Sequence, residues 1–293
     1  MSNINLIIEE RPSNIGNFMV GRLLPFREKR MVGPFSFIDH MGPVAMNARQ
    51  NMDIAPHPHI GLSTLTYLFE GSIMHKDGLG TSIEVNPGQV NWMTAGKGIA
   101  HSERTPERLR NSDKFLHGLQ IWVALPKHLE QMEPEFFHAD SSELPSWEED
   151  GVSYKLIAGE VFDKKSPIPV YSPLYFIEIK TVEERKINIG KGLFGESGLY
   201  ILNGEIESDG HTFGPKQLLV AKDSSLCEFT MKENTSVYIF GGEAFPEERF
   251  MYWNFVASDK ALIEAAKQKW LAQEFAPVPG ETDFVPLPEE RKI

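Results

Sequence analysis

The 293-residue chain is 41% hydrophobic and 24% charged, ordinary globular values with enough apolar side chains for a sizeable core. Its 29 Lys and Arg against 41 Asp and Glu give a formal net charge of −12, which repels phosphate backbones and excludes non-specific nucleic-acid binding. The one cysteine, Cys227, excludes an intramolecular disulfide and a multi-cysteine metal site, fits a reducing compartment, and reads as a small buried hydrophobe.

In chain order, the opening MSNINLIIEERPS has acidic residues behind a short apolar run, the wrong pattern for a secretory signal. No later stretch approaches the roughly 18 apolar residues of a membrane span. The expected setting is therefore the cytoplasm, with no membrane partner. Basic residues cluster no further than pairs such as Lys29–Arg30 and Lys164–Lys165, too short for a polybasic signal.

Gly and Pro are spread along the whole chain and separate short runs rich in Val, Ile, Phe, Thr and Tyr, the texture of an all-β sandwich or barrel. Residues 62–69 read as a strand closed by Glu70-Gly71, and 72–75 lead into the turn signal Asp77-Gly78. Strands follow at 81–85 and 119–124. Residues 127–150 are acidic and interrupted by Pro134 and Pro145, and read as connection and surface with a helical turn near 127–132. Strand texture resumes at 153–158, 174–181, 199–202, 217–221, 226–231 and 236–240. One long helix is expected from Ser258, as its cap, to about Ala272, with Leu262, Ala266 and Trp270 on one face. The Pro-rich tail PVPGETDFVPLPEERKI reads as an extended strap.

The two halves resemble each other. TYLFEGSI at 66–73 aligns with LYILNGEI at 199–206, and PGQVNWMTA at 87–95 aligns with PKQLLVAKD at 215–223. Asp-Gly turns lie between the aligned pieces in both halves, at 77–78 and at 209–210. One β-barrel fold used twice is the expectation, with a metal-binding barrel over residues 1–140, a second barrel over 141–256, and a helix and tail over 257–293.

The chemistry-bearing residues fall in the first half. His57 and His59, in PHPHIG, are two apart, so a strand turns both imidazoles to the same face. His101 and Glu103 repeat that spacing after the glycine turn of TAGKGIAHSER, which returns the chain toward the first pair. His75/Asp77, His128/Glu130 and His138/Asp140 share the spacing but sit in a hairpin turn, a helical turn and a polar connection. Three imidazoles and a carboxylate suit one divalent transition metal: Fe(II), Mn, Ni, Co or Cu. His75, His117, His128, His138 and His211 read as surface or internally satisfied histidines, and His40 as either a supporting or a packing residue. Trp92 and Met93 read as pocket wall or barrel core.

The PHPH start, the run NWMTAGKGIAHSER and the segment PFSFIDHMGP at 34–43 resemble the pirins, a branch of the cupin superfamily. The stretch ERFMYWNFVASDKALIEAAKQKW followed by VPGETDFVPLP is similar to bacterial pirin-like proteins. The resemblance implies two cupin-type barrels in tandem with a C-terminal helix. It also implies His57, His59, His101 and Glu103 as metal ligands, with Fe(II) ahead of Mn, Ni, Co, Cu and Zn. The broader cupin pattern puts its carboxylate four or five residues after the second His, where this chain has Ser63 and Thr64, so Glu103 is the candidate. The offsets between the halves match His57 and His59 to Gly190 and Gly192, and His101 and Glu103 to Phe229 and Met231. One metal centre, in the N-terminal barrel, is the expectation.

The implied activity is flavonol cleavage of the quercetin 2,3-dioxygenase type, with a flavonol and O₂ as partners and Glu103 as ligand and general base. The alternative is a metal-dependent regulatory protein that binds a protein partner without turnover. The missing basic patch speaks against direct DNA contact and leaves protein partners open.

Overall fold

A computed structural model describes residues 4–15, 18–189, 192–221 and 228–289. Cys227 and Gly190 lie outside the described residues. Among the described residues the secondary structure is strands joined by tight turns, with one α-helix, Lys260–Leu271. No helix among the described residues is long and apolar enough to cross a membrane.

Among the described residues the chain divides into two compact units, each discontinuous in sequence. One gathers residues within Pro12–Val20, His40–His138 and Pro246–Ile293; the other gathers residues within Met1–Arg11, Gly21–Asp39 and Ala139–Phe245.

In the first unit, a four-stranded antiparallel sheet runs in the order Asp53–His59, Ile99–Arg104, Ile73–Asp77, Ser82–Val85. A second sheet centres on Leu62–Glu70, flanked by Val90–Thr94 and Lys114–Ala124. Apolar residues of both sheets, among them Leu68, Ile73, Val85 and Leu116, meet in one core cluster. Burial continues on the outer face of the strands Asp53–His59 and Ile99–Arg104. There Ile60 and Ala100 pack with Phe255, Ile263, Ala266 and Trp270, so the C-terminal helix backs the strands that carry His59 and His101. Because side chains alternate along a strand, covering Ala100 on one face points His101 to the other.

The helix stripe is Ile263, Ala266 and Trp270, with Leu262 partly buried. Its cap is Asp259, whose carboxylate accepts from the Ala261 amide, and not Ser258. Ser258 is drawn off to the buried Glu130, which accepts from both its backbone amide and its hydroxyl. Residues 127–150 are more ordered than their composition implies. Beyond the expected turn at Lys127–Leu129, the segment contributes strands Glu135–Ala139 and Ser146–Glu149. The second pairs with Val152–Val161 and stacks Trp147 on Tyr154, which outweighs the low strand propensity of its glutamates.

The other unit repeats the plan. Its four-stranded sheet runs Arg185–Asn188, Glu228–Met231, Ile206–Ser208, His211–Phe213, strand for strand the same order. Its larger sheet has Thr235–Gly242 between Leu174–Thr181 and Glu196–Asn203. Ile177, Ile179, Leu199, Ile201, Val237 and Ile239 fill the space between the two sheets. The Ile4–Glu9 strand pairs with Gln217–Ala221, a contact across most of the chain that no local pattern announces.

Candidate metal centre

Two adjacent strands supply the site. His101 pairs in register with His57, and Ile99 with His59, so the imidazoles come from neighbouring rungs of one ladder. The register shifts between His101 and Glu103, with the extra residue on the Asp53–His59 strand between Ile54 and His57, so His101 and Glu103 keep their regular alternation and share a face. The turn before the second strand depends on Gly96, at φ +49°, where an added Cβ would collide with the Met132 carbonyl.

His57, His59 and His101 converge, with one nitrogen from each ring lying within 4.8 Å of the others. Ring centroids are 4.4 to 5.1 Å apart, and the Nε2 atoms of His59 and His101 face each other at 3.1 Å. All three are buried, at 8%, 1% and 1% exposure. Nδ1 of His57 lies 3.0 Å from the Ala55 carbonyl, which can only accept; it therefore carries the proton and leaves Nε2 with its lone pair. Burial lowers the His57 pKa to about 4. Burial and then the neighbouring imidazoles hold His59 and His101 well below the ordinary histidine value. The result is three uncharged imidazoles with converging nitrogens, the donor set a divalent transition metal needs.

Glu103 lies on the same strand as His101 but outside that convergent group of nitrogens. It is buried, and its Oε1 stands 3.2 Å from the Thr66 hydroxyl, which also lies 2.9 Å from Gln120 Oε1. The hydroxyl has one proton and serves one acceptor at a time. Burial raises the Glu103 pKa, against the lowering influence of His75 and Thr66.

Ser63, one of the two cupin carboxylate positions, is buried and hydrogen-bonded to Thr94, 2.9 Å away. Trp92 and Met93 are core residues, 1% exposed each. Of the histidines read as surface or satisfied, His128 and His211 are exposed. His138 reaches Asn91 at 2.7 Å, and His117 meets His40, Nε2 to Nε2, at 2.8 Å.

His75 is different. It is 3% exposed, its Nε2 contacts Asp77 Oδ2 at 3.1 Å, and its Nδ1 lies 3.3 Å from Nδ1 of His101. Asp77 does hold its turn, accepting from the amides of Leu79 and Thr81, and it grips His75 as well. Both are therefore part of the centre's surroundings. Their i, i+2 spacing on a strand was the available signal, and the adjoining turn obscured it. Trp122 was also hidden: its ring stands edge-on to His59 at 5.1 Å, which only the pairing of the Lys114–Ala124 and Leu62–Glu70 strands brings about.

The same register corrects the match between the halves. Ile187 stands opposite Phe229 as His57 stands opposite His101. The counterparts of the two imidazoles are thus Ile187 and, two residues on, Ile189, in place of Gly190 and Gly192. An offset measured downstream of a loop does not carry back across a loop of different length. Ile187, Ile189, Phe229 and Met231 all belong to one buried apolar cluster.

Residues 17–123 match the family described as Pirin, and residues 177–276 match the Pirin C-terminal cupin domain. A pirin-like protein of Caulobacter vibrioides is 44% identical over 290 residues, 98% of this chain and 100% of that protein. The chain belongs to the pirin family. Its two β units are accordingly cupin domains. The crystal structure of a quercetin 2,3-dioxygenase from Acinetobacter baumannii is similar at a TM-score of 0.89 and 33% identity, covering 98% of this chain and 96% of that one. The Escherichia coli pirin YhhW, determined in complex with nickel(II), shares the fold at a TM-score of 0.64 and 17% identity, covering 82% and 99%.

Proposed function

We propose that the chain is a mononuclear metal-dependent dioxygenase that cleaves flavonols. The convergence of the three buried, uncharged imidazoles of His57, His59 and His101 carries this reading. The similarity to the Acinetobacter baumannii quercetin 2,3-dioxygenase supports the substrate class. The proposed ligand set is these three histidines and Glu103, with iron(II) as the ion, acting in the cytoplasm. The nitrogen-rich donor set and the single cysteine support those two assignments.

A bound divalent ion supplies Lewis acidity and a template for the flavonol 3-hydroxyl and O₂. The chain supplies the rest. Glu103, with its pKa raised by burial, accepts the 3-hydroxyl proton, and the Thr66 hydroxyl steadies the carboxylate. Loss of that proton makes the ring an electron-rich enolate. Both atoms of O₂ end in the cleaved product and one ring carbon leaves as carbon monoxide. Trp122, edge-on to His59, provides apolar surface beside the imidazoles for a flat substrate.

The test is anaerobic purification, metal analysis by mass spectrometry, then quercetin and air. Near-stoichiometric metal, loss of the flavonol absorbance and carbon monoxide release, all lost in His59→Ala, are expected. Metal without turnover moves the reading to partner binding; no metal in any preparation overturns the centre.

A further inference from the structure

The imidazole of His101 is gripped from behind by a buried chain of hydrogen bonds that plays no part in the ligand set. Asp77 Oδ1 is engaged by the Leu79 and Thr81 amides at 2.9 and 3.0 Å, leaving Oδ2 to face His75 Nε2 at 3.1 Å. On its other side His75 presents Nδ1 to Nδ1 of His101 at 3.3 Å. Asp77 is 0% and His75 3% exposed, so water does not substitute for either contact. The Phe136 ring lies against the His75 ring, centroid to centroid 4.8 Å, and holds its plane.

With His75 uncharged, the ring nitrogens allow one self-consistent arrangement of protons. An ionised carboxylate only accepts, so His75 carries its proton on Nε2. A neutral imidazole has one N–H, so Nδ1 of His75 is an acceptor. The N–H that meets it is then Nδ1–H of His101, which leaves the His101 lone pair on Nε2, the nitrogen facing His59 at 3.1 Å. The opposite tautomer of His101 would set two lone pairs against each other in a dry site and turn an N–H into the cluster.

We infer that Asp77 and His75 form a two-member relay that fixes the tautomer and orientation of His101, making both positioning residues of the metal centre. The relay rests on the metal-centre reading for its purpose, but its proton arrangement is a property of the metal-free protein too. Outer partners of this kind are worth about 10- to 100-fold in metal affinity. Asp77→Asn is the sharpest probe. It keeps an oxygen for the Leu79 and Thr81 amides but offers His75 an N–H, which drives His75 to its Nδ1–H form and confronts the Nδ1–H of His101.

The experiment uses the full chain with ¹⁵N-labelled histidine. Long-range ¹H–¹⁵N spectra, metal-free and loaded with Zn(II), read each tautomer; chelator competition reads Zn(II) and Co(II) affinity. Expected in the wild type are Nδ1–H at His101 and Nε2–H at His75. Expected in Asp77→Asn and His75→Leu is metal binding weaker by about 10- to 100-fold. His75→Gln, whose amide oxygen can accept from His101, should bind more tightly than His75→Leu. An Nε2–H tautomer at His101 in the wild type overturns the relay even if a variant fails to fold. So does unchanged affinity in folded Asp77→Asn and His75→Leu. A wild type that binds neither metal yet shows the expected tautomers overturns the metal-centre reading, and with it the relay's positioning role, while leaving the hydrogen-bonded chain standing.

Discussion

His57 and His101 stand directly opposite one another in neighbouring antiparallel strands, with ring centroids 4.4 Å apart. A step of ladder pairing thus brings together two rings far apart in sequence, and strand alternation adds His59 on the same face. The centre needs no flexible loop to assemble it, which makes the consequences of changing its neighbours predictable.

Glu103→Gln separates acid–base chemistry from packing. The amide keeps the shape and an oxygen for the Thr66 hydroxyl, but it cannot take up a proton. Turnover of quercetin by the metal-loaded variant should fall by about 10²- to 10⁴-fold, the usual worth of a positioned base. Steady-state kinetics beside a thermal melt checks this; full activity would remove Glu103 from the proton transfer.

The stability of metal-free protein should decline as the pH falls from about 6.5 toward 4. Burial depresses His57 to about 4 and His59 and His101 well below 6.5, so in that window the unfolded chain binds protons that the folded chain does not. His57 alone accounts for on the order of 3 kcal/mol, present above its unfolded value and lost through its folded one. Glu103 acts oppositely: its raised pKa gives stability at low pH that disappears as the pH rises through its folded value. Denaturant titrations of chelator-treated protein across this range, with His57→Phe flattening the curve, measure the balance.

The tail braces the strands that carry His57 and His101. Glu281 accepts from Ser102 Oγ at 3.2 Å and from Arg104 at 2.9 and 2.6 Å, while the Val285 amide donates to the Pro56 carbonyl at 2.8 Å. Ser102 and Arg104 alternate with His101 and Glu103, so the tail holds the face opposite those two side chains. Glu281→Ala should cost about 1 to 3 kcal/mol, the range for losing charge-assisted partners, and should weaken metal binding at the same time. A melting temperature and a metal affinity both equal to wild type would show that the tail does not brace the strand.

Glu130→Ala is expected to be the most damaging of these changes to stability. Its carboxylate is 1% exposed and meets Arg249 Nε at 3.1 Å as well as the amide and hydroxyl of Ser258. Removing it takes the nearer and fully buried carboxylate from the Arg249 guanidinium, leaving Glu247 at 3.5 Å as its counter-ion, at about 3 to 5 kcal/mol. Chemical denaturation gives the number directly; a loss below about 1 kcal/mol would mean that Glu247 suffices as the counter-ion of Arg249.

The sequence by itself determined the β texture, the internal repeat and the pairing of imidazoles two apart. These are local properties: turn residues, alternation, and spacing along one strand. Leu174–Thr181 and Gln217–Ala221 were legible to the residue for that reason. The tertiary structure decided what depends on register and on distant pairing. The helix cap moved to Asp259 because Glu130, far away in sequence, claims Ser258. The counterparts of the histidines in the second domain proved to be Ile187 and Ile189 because strand pairing, not a constant offset, sets equivalence. His75 and Asp77 looked like part of a turn until the Ile73–Asp77 strand was seen laid beside Ile99–Arg104, opposing His75 to Glu103 and Asp77 to His101. Side-chain period fixes which residues share a face; only the packed sheet fixes which faces meet.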